Sequence, residues 1–112
     1  MKKVGLIFVS ISALLLGACG NSTASEEGKL NIVTTFYPVY EFTKQVAGDE
    51  ANVDLLVKAG TEVHDYEPSA KDIARIQEAD VFVYENKNME TWVHDVEESI
   101  DTSKVCVIRA TE

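Results

Sequence analysis

Cysteine, histidine and proline are scarce in this chain, with two of each among 112 residues. Two cysteines leave no room for a disulfide framework. No Cys-x-x-Cys pair occurs and no Gly-rich phosphate loop follows a strand, so the redox and nucleotide readings that rest on those motifs fall away. Basic residues are also few: ten Lys and Arg stand against nineteen Asp and Glu, for a formal charge of −9. Phosphate contacts need clustered cations, so nucleic acid is excluded as a partner. Acidic surface suits an exported, solvated domain and concentrates cations only non-specifically. A membrane-crossing helix needs about 20 apolar residues, and the run from Val4 to Leu16 is too short for one.

That run reads instead as part of a signal. Lys2 and Lys3 supply a charged start, Val4 to Leu16 an apolar middle, and Leu16-Gly17-Ala18-Cys19 a small-residue cleavage site. Leu-Gly-Ala-Cys resembles a bacterial lipobox, in which cleavage before the cysteine leaves its thiol to carry a diacylglyceryl group. Two acyl chains anchor a protein where one binds only marginally. The sequence therefore predicts a signal peptide over 1–18, lipidation at Cys19, and a small, polar, flexible tether over 19–29. Loss of residues 1–18 leaves 94 residues, with a formal charge of −11 once Lys2 and Lys3 are gone. That length suffices for one small domain. With Cys19 modified, Cys106 has no partner within the chain. Its place in Val105-Cys106-Val107-Ile108 predicts a small, buried apolar residue.

From Leu30 onward two periods alternate. Leu30 to Phe36 is rich in strand formers, and Pro38 then suits the first turn of a helix whose stripe is Val39, Phe42, Thr43 and Val46. Gly48 stops that helix. Val53 to Val57 predicts a short strand buried on both faces. Ser69 and Asp72 have capping-box spacing and open a helix to about Glu78. Val81 to Tyr84 is a third strand, Asn88 to Ser99 a helix with the stripe Met89, Trp92, Val93, Val96 and Ile100, and Lys104 to Arg109 a fourth strand. Strands alternating with helices predict the α/β class, with βαβ units around a parallel sheet. A parallel sheet wants both faces covered, and no closing helix follows the fourth strand. The expectation over 30–112 is a partial α/β lobe, the first part of a longer protein.

Ligands bind beyond the carboxyl ends of the strands in such sheets. Three loops lie there: Thr34 to Tyr37, Lys58 to Pro68, and Glu85 to Asn88. The second exceeds the usual 2–6 residues of α/β connections, and long ordered loops at that edge carry function. It holds His64, a candidate metal ligand for zinc, or for manganese with carboxylates in the shell. One histidine cannot hold zinc, which takes about four ligands. Asp65 and Glu67 are candidates to help it, but neighbours on a bent loop rarely converge on one ion, so the remaining ligands are expected from elsewhere. His94 falls opposite the apolar stripe of its helix, on a face shared with Glu90, Glu97 and Glu98, and reads as solvated. The acidic run Asp95, Glu97, Glu98 and Asp101 reads as a wet helix face. Ser69 has no base beside it and serves better as a cap, so nothing here indicates an enzyme.

The lipobox, the strand leading into Thr34-Thr35-Phe36-Tyr37-Pro38, the segment Gly60-Thr61-Glu62-Val63-His64-Asp65-Tyr66-Glu67-Pro68-Ser69, and Tyr84-Glu85-Asn86 form a pattern. Together they resemble the metal-binding solute-binding lipoproteins of ABC importers, and most closely the streptococcal-type zinc-binding adhesin lipoproteins. The resemblance implies two α/β lobes joined by a long rigid helix, with this chain as a truncated N-terminal lobe and the metal held between the lobes. His64 matches the family's first ligand histidine; the other ligands, further histidines and a carboxylate, are expected beyond Glu112. His94 inherits no role. The function so implied is capture of Zn(II) outside the cytoplasm by a lipid-anchored monomer that delivers it to an ABC permease and its ATPase. The alternatives are a manganese receptor of the same family and a surface adhesion lipoprotein without a transport role.

Overall fold

The computed structural model describes residues 28–111; the signal segment, the lipobox with Cys19 and the tether up to residue 27 lie outside the described residues. The elements follow one another as β1 (Leu30–Thr34), α1 (Tyr37–Ala47), β2 (Ala51–Leu55), α2 (Ala70–Glu78), β3 (Val81–Tyr84), α3 (Val93–Ser99) and β4 (Cys106–Arg109). All strand pairs are parallel, in the order β2-β1-β3-β4. This is the α/β parallel sheet that the alternating periods predict. The chain moves outward from β1 to β2, then crosses back over β1 to reach β3, so the order reverses between β1 and β3.

Local chemistry explains where the helices begin and end. Pro38 sits in the first turn of α1, where its missing N–H costs nothing. Gly48 ends that helix at a φ of 55°, which a glycine adopts readily, and its N–H donates to the Lys44 carbonyl. The Ser69 capping box at α2 is complete: the Asp72 amide donates to the Ser69 hydroxyl, and the Ser69 amide donates to the Asp72 carboxylate. The third helix is shorter than its stripe predicts, starting at Val93 rather than Asn88. Asn86 is the reason. Its side-chain oxygen accepts from the Asn88 and Met89 amides, a local alternative that keeps the backbone in turns before the helix.

The two faces of the sheet are covered unequally. On one face, Val33, Phe82 and Tyr84 pack with Ile76 of α2 and with Trp92, Val93 and Val96 at α3. On the other, the buried cluster is only Ile32, Val39 and Val83. The predicted stripe on α1 is accordingly buried at Val39 alone, while Phe42 is 68% and Val46 76% exposed. They border an apolar groove of about 650 Å³ whose floor is Ile32, Val81, Val83 and Ile108.

Two further expectations fail for one cause, the position of a strand at an edge. β2 starts at Ala51 and is half-buried rather than enclosed on both faces; Leu56 and Val57 are buried just after it ends. Cys106 is exposed rather than buried. Val105 and Val107 join the α2–α3 core, so alternation along the strand turns Cys106 to the opposite face, which bears α1 but leaves edge strand β4 open.

The unequal packing is testable by urea unfolding of this chain. Ile76→Ala removes a fully buried side chain and should cost about 2–5 kcal/mol. Phe42→Ala should stay within about 0.5 kcal/mol of the parent, as surface substitutions do. Equal losses would mean that the groove is closed in solution.

Candidate functional site

The carboxyl ends of β1 and β3 meet where the strand order reverses, the place where open α/β sheets bind ligands. Three polar residues there are fully buried: Thr34, Thr35 and Glu90. Burying a carboxyl group is costly unless its oxygens accept hydrogen bonds, and Glu90 is well supplied. Its Oε1 accepts from the Thr35 hydroxyl and, at 3.0 Å, from the Glu85 amide. Its Oε2 accepts from the Glu85 amide at 3.1 Å and the Asn86 amide at 2.9 Å. One side chain thus ties the end of β1 to the end of β3. This corrects the expectation that Glu90 shares a solvated face with His94. The apolar stripe predicts a helix from Asn88, but α3 begins at Val93 and the preceding turns point Glu90 inward.

Residues 56–69 form the long loop after β2. Its start is fastened to β1, with the Leu56 amide donating to the Thr34 carbonyl at 2.9 Å and Val57 to Thr35 at 2.7 Å. The chain then turns at Lys58–Thr61, where Gly60 has a φ of 87° that suits glycine. Val63 and Tyr66 are half-buried against the larger core, and the Tyr66 amide donates to the Val63 carbonyl. Between these two anchors, His64 and Asp65 are turned to solvent. The Tyr66 ring meets Trp92 edge-on at 5.1 Å, and its hydroxyl donates to Asp72 at 2.9 Å. The loop carrying His64 is therefore braced from below on both sides.

Electrostatics reinforce the brace. Burial, and then the hydrogen bond to Asp72, push the Tyr66 hydroxyl well above its ordinary range, so it stays a donor. Burial works against the Asp72 carboxylate, but hydrogen bonds from Ser69 and Tyr66 and the Arg75 charge outweigh it and hold Asp72 below its ordinary 3.8. Arg75 bridges Asp72 and Asp54, linking α2 to β2.

The candidates named from sequence do not gather at one point. His64 is exposed at the carboxyl edge, and among the described residues its imidazole makes no hydrogen bond or ion pair. Asp65 and Glu67 are exposed beside it, and among the described residues no three His, Cys, Asp or Glu side chains are grouped to hold a metal. His94 is exposed on α3, 3.6 Å from Glu98. Glu97 leaves the wet face to pair with Lys87 at 2.6 Å. The buried roles of Glu90 and Thr35 escaped the sequence reading; the signal for them was the pair Thr34-Thr35 following the apolar Ile32-Val33, because buried polar groups at a strand end need partners.

The family described as "Zinc-uptake complex component A periplasmic" matches residues 32–112. The chain belongs to this family. It is 64% identical to the zinc-binding lipoprotein AdcA of Streptococcus pneumoniae over 111 residues, an alignment that covers 99% of this chain and 22% of that protein. The crystal structure of Zn(II)-bound AdcA from S. pneumoniae is 71% identical with a TM-score of 0.69, over 73% of this chain and 18% of that one. The laminin-binding protein Lmb of Streptococcus agalactiae, described as a bifunctional protein with adhesin and metal transporting activity, is 40% identical with a TM-score of 0.63. That match covers 71% of this chain and 30% of Lmb. The chain spans about a fifth of the length of the zinc-uptake family relative AdcA.

The Asp72 brace has a pH signature. Its folded-state pKa is depressed, so its stabilisation is complete above the ordinary 3.8 and is lost as pH falls through the lower folded value. Asp72→Asn should lower the urea midpoint at pH 7, and the gap between variant and parent should close as the pH is taken progressively below 3.8. A gap independent of pH would show that the carboxylate's charge contributes nothing.

Proposed function

We propose that this chain is part of an extracytoplasmic zinc receptor, in which His64 is one ligand of the transported Zn(II). The observation that carries this reading is His64 itself. It is an exposed imidazole without a partner among the described residues, held on a braced loop at the ligand-binding edge of a sheet that belongs to the zinc-uptake family. A neutral imidazole is a common zinc ligand. Three further donors, supplied from outside residues 28–111, complete a shell of about four. The ion is then handed to an ABC permease and its ATPase, and a diacylglyceryl group on Cys19 keeps the monomeric receptor at the outer face of the cytoplasmic membrane. The chain binds and releases its ion and catalyses nothing.

The names of the relatives support zinc over manganese, since the family and AdcA are both described by zinc. A second reading, surface adhesion, is favoured by the likeness to Lmb, whose description couples an adhesin to metal transport. The two activities are compatible on one protein.

The test is zinc affinity by chelator competition in the complete receptor. His64→Ala should weaken binding at least about tenfold, the low end for losing even an outer hydrogen-bonding partner of a ligand, whereas His94→Ala should leave it unchanged. Unchanged affinity in His64→Ala would remove His64 from the site. Separately, Cys19→Ala should accumulate as uncleaved precursor or appear in the medium; normal processing and membrane retention would exclude Cys19 as the anchor.

A further inference from the structure

We infer that Glu90 is a positioning residue for the metal site, because its buried carboxylate fixes both ends of the loop that presents His64. The inference rests on the assignment of His64 as a zinc ligand and adds the group that holds it in place. At the start of the loop, the Val57 amide donates to the carbonyl of Thr35. The hydroxyl of that same Thr35 donates to Glu90. At the far end, Tyr66 packs on Trp92, two residues beyond Glu90. Trp92 is held in place because the Glu90 carbonyl accepts from the Val93 amide at 3.1 Å, and the carboxylate accepts from Glu85 and Asn86 at the other side of the same turn. Among the described residues, Glu90 is thus the only side chain that bonds to the ends of both central strands while shaping the turn on which the loop rests.

Its surroundings suit an acceptor alone. Three donors converge on two carboxylate oxygens: the Thr35 hydroxyl and the Glu85 and Asn86 amides. Glutamine can meet this set. Its oxygen serves the two amides, while its NH2 donates to the Thr35 hydroxyl, which rotates to accept. Alanine leaves the buried Thr35 hydroxyl and the two part-buried amides without that acceptor. A ligand loop must be held within about 0.5 Å of its productive geometry, so loosening its two ends lowers metal affinity without removing any ligand.

The experiment compares Glu90→Ala, Glu90→Gln and His64→Ala in the complete receptor, reading zinc affinity by chelator competition and amide hydrogen exchange in the metal-free state. Glu90→Ala should speed exchange at Val57 and Tyr66 by about tenfold and weaken zinc binding by about 10- to 100-fold. Exchange at Ala79 and Ile100, the residues that close α2 and α3, should change little, which separates loosening of the loop from general destabilisation. Glu90→Gln should restore most of both. Unchanged exchange at Val57 and Tyr66 in Glu90→Ala overturns the inference. So does faster exchange with parental zinc affinity, provided His64→Ala weakens binding in the same assay. If His64→Ala binds zinc as the parent does, the ligand assignment fails instead, and with it the metal-site role inferred for Glu90. If Glu90→Ala does not fold, Thr35→Val decides: it removes only the hydroxyl, and faster exchange at Val57 with weakened zinc binding supports the inference, whereas parental behaviour overturns it.

Discussion

Taking a carboxyl group out of water is unfavourable unless its lone pairs are met inside the protein, and the carboxyl edge of this sheet is organised around meeting them for Glu90. Two backbone amides and one hydroxyl are drawn to it from the ends of β1 and β3. Removing that acceptor would strand donors from both strands at once. The consequences spread through the chain, since Thr35 also accepts the Val57 amide that launches the long loop. The turn around Glu90 also sets Trp92 beneath Tyr66. The exposed histidine therefore stands on a scaffold in which a buried carboxylate and the strand-end donors satisfy one another.

The same asymmetry is visible in the packing. The face bearing α2 and α3 is filled by Phe82, Ile76, Val93 and Val96, all essentially inaccessible. The face bearing α1 keeps Phe42, Val46 and Ile108 exposed around its groove. Close-packed interiors resist deformation and transmit strain, so stiffness is concentrated under the loop that carries His64. Tyr66 joins the packed side through Trp92 and the capping box through Asp72, so one aromatic residue couples the loop to both helices of that face.

Much of this was legible in the residues. Alternating periods disclosed the parallel α/β sheet, and local chemistry marked Pro38, Gly48 and the Ser69–Asp72 box, because those signals act within a few residues of where they sit. What failed depended on neighbours distant in sequence. The burial of β2 and of Cys106 turns on strand order, which makes both strands edges, and the burial of the α1 stripe turns on what covers that face. Glu90 departs from its sequence expectation for a different reason: the apolar stripe predicts a helix from Asn88, where the Asn86 side chain instead accepts from the Asn88 and Met89 amides and holds the backbone in turns. His64 was visible as a residue type on a long loop, but its brace was not, since Val63 and Tyr66 acquire their roles only against Trp92 and the core.

An acidic chain carries many carboxylates, and charge alone would attract any cation. Here several of those carboxylates have other work. Asp54 and Asp72 hold Arg75, Glu97 holds Lys87, Asp101 pairs with Ser103 and Lys104, and Glu90 holds the strand ends. Carboxylates committed to internal partners are poor donors to an ion, because each would have to abandon a satisfied contact. The imidazole of His64 has no such contact among the described residues and gives up nothing but water on binding. Nitrogen donors favour zinc where oxygen donors suit harder ions. What this lobe offers a metal is therefore decided less by its net charge than by which of its polar side chains the fold leaves unoccupied.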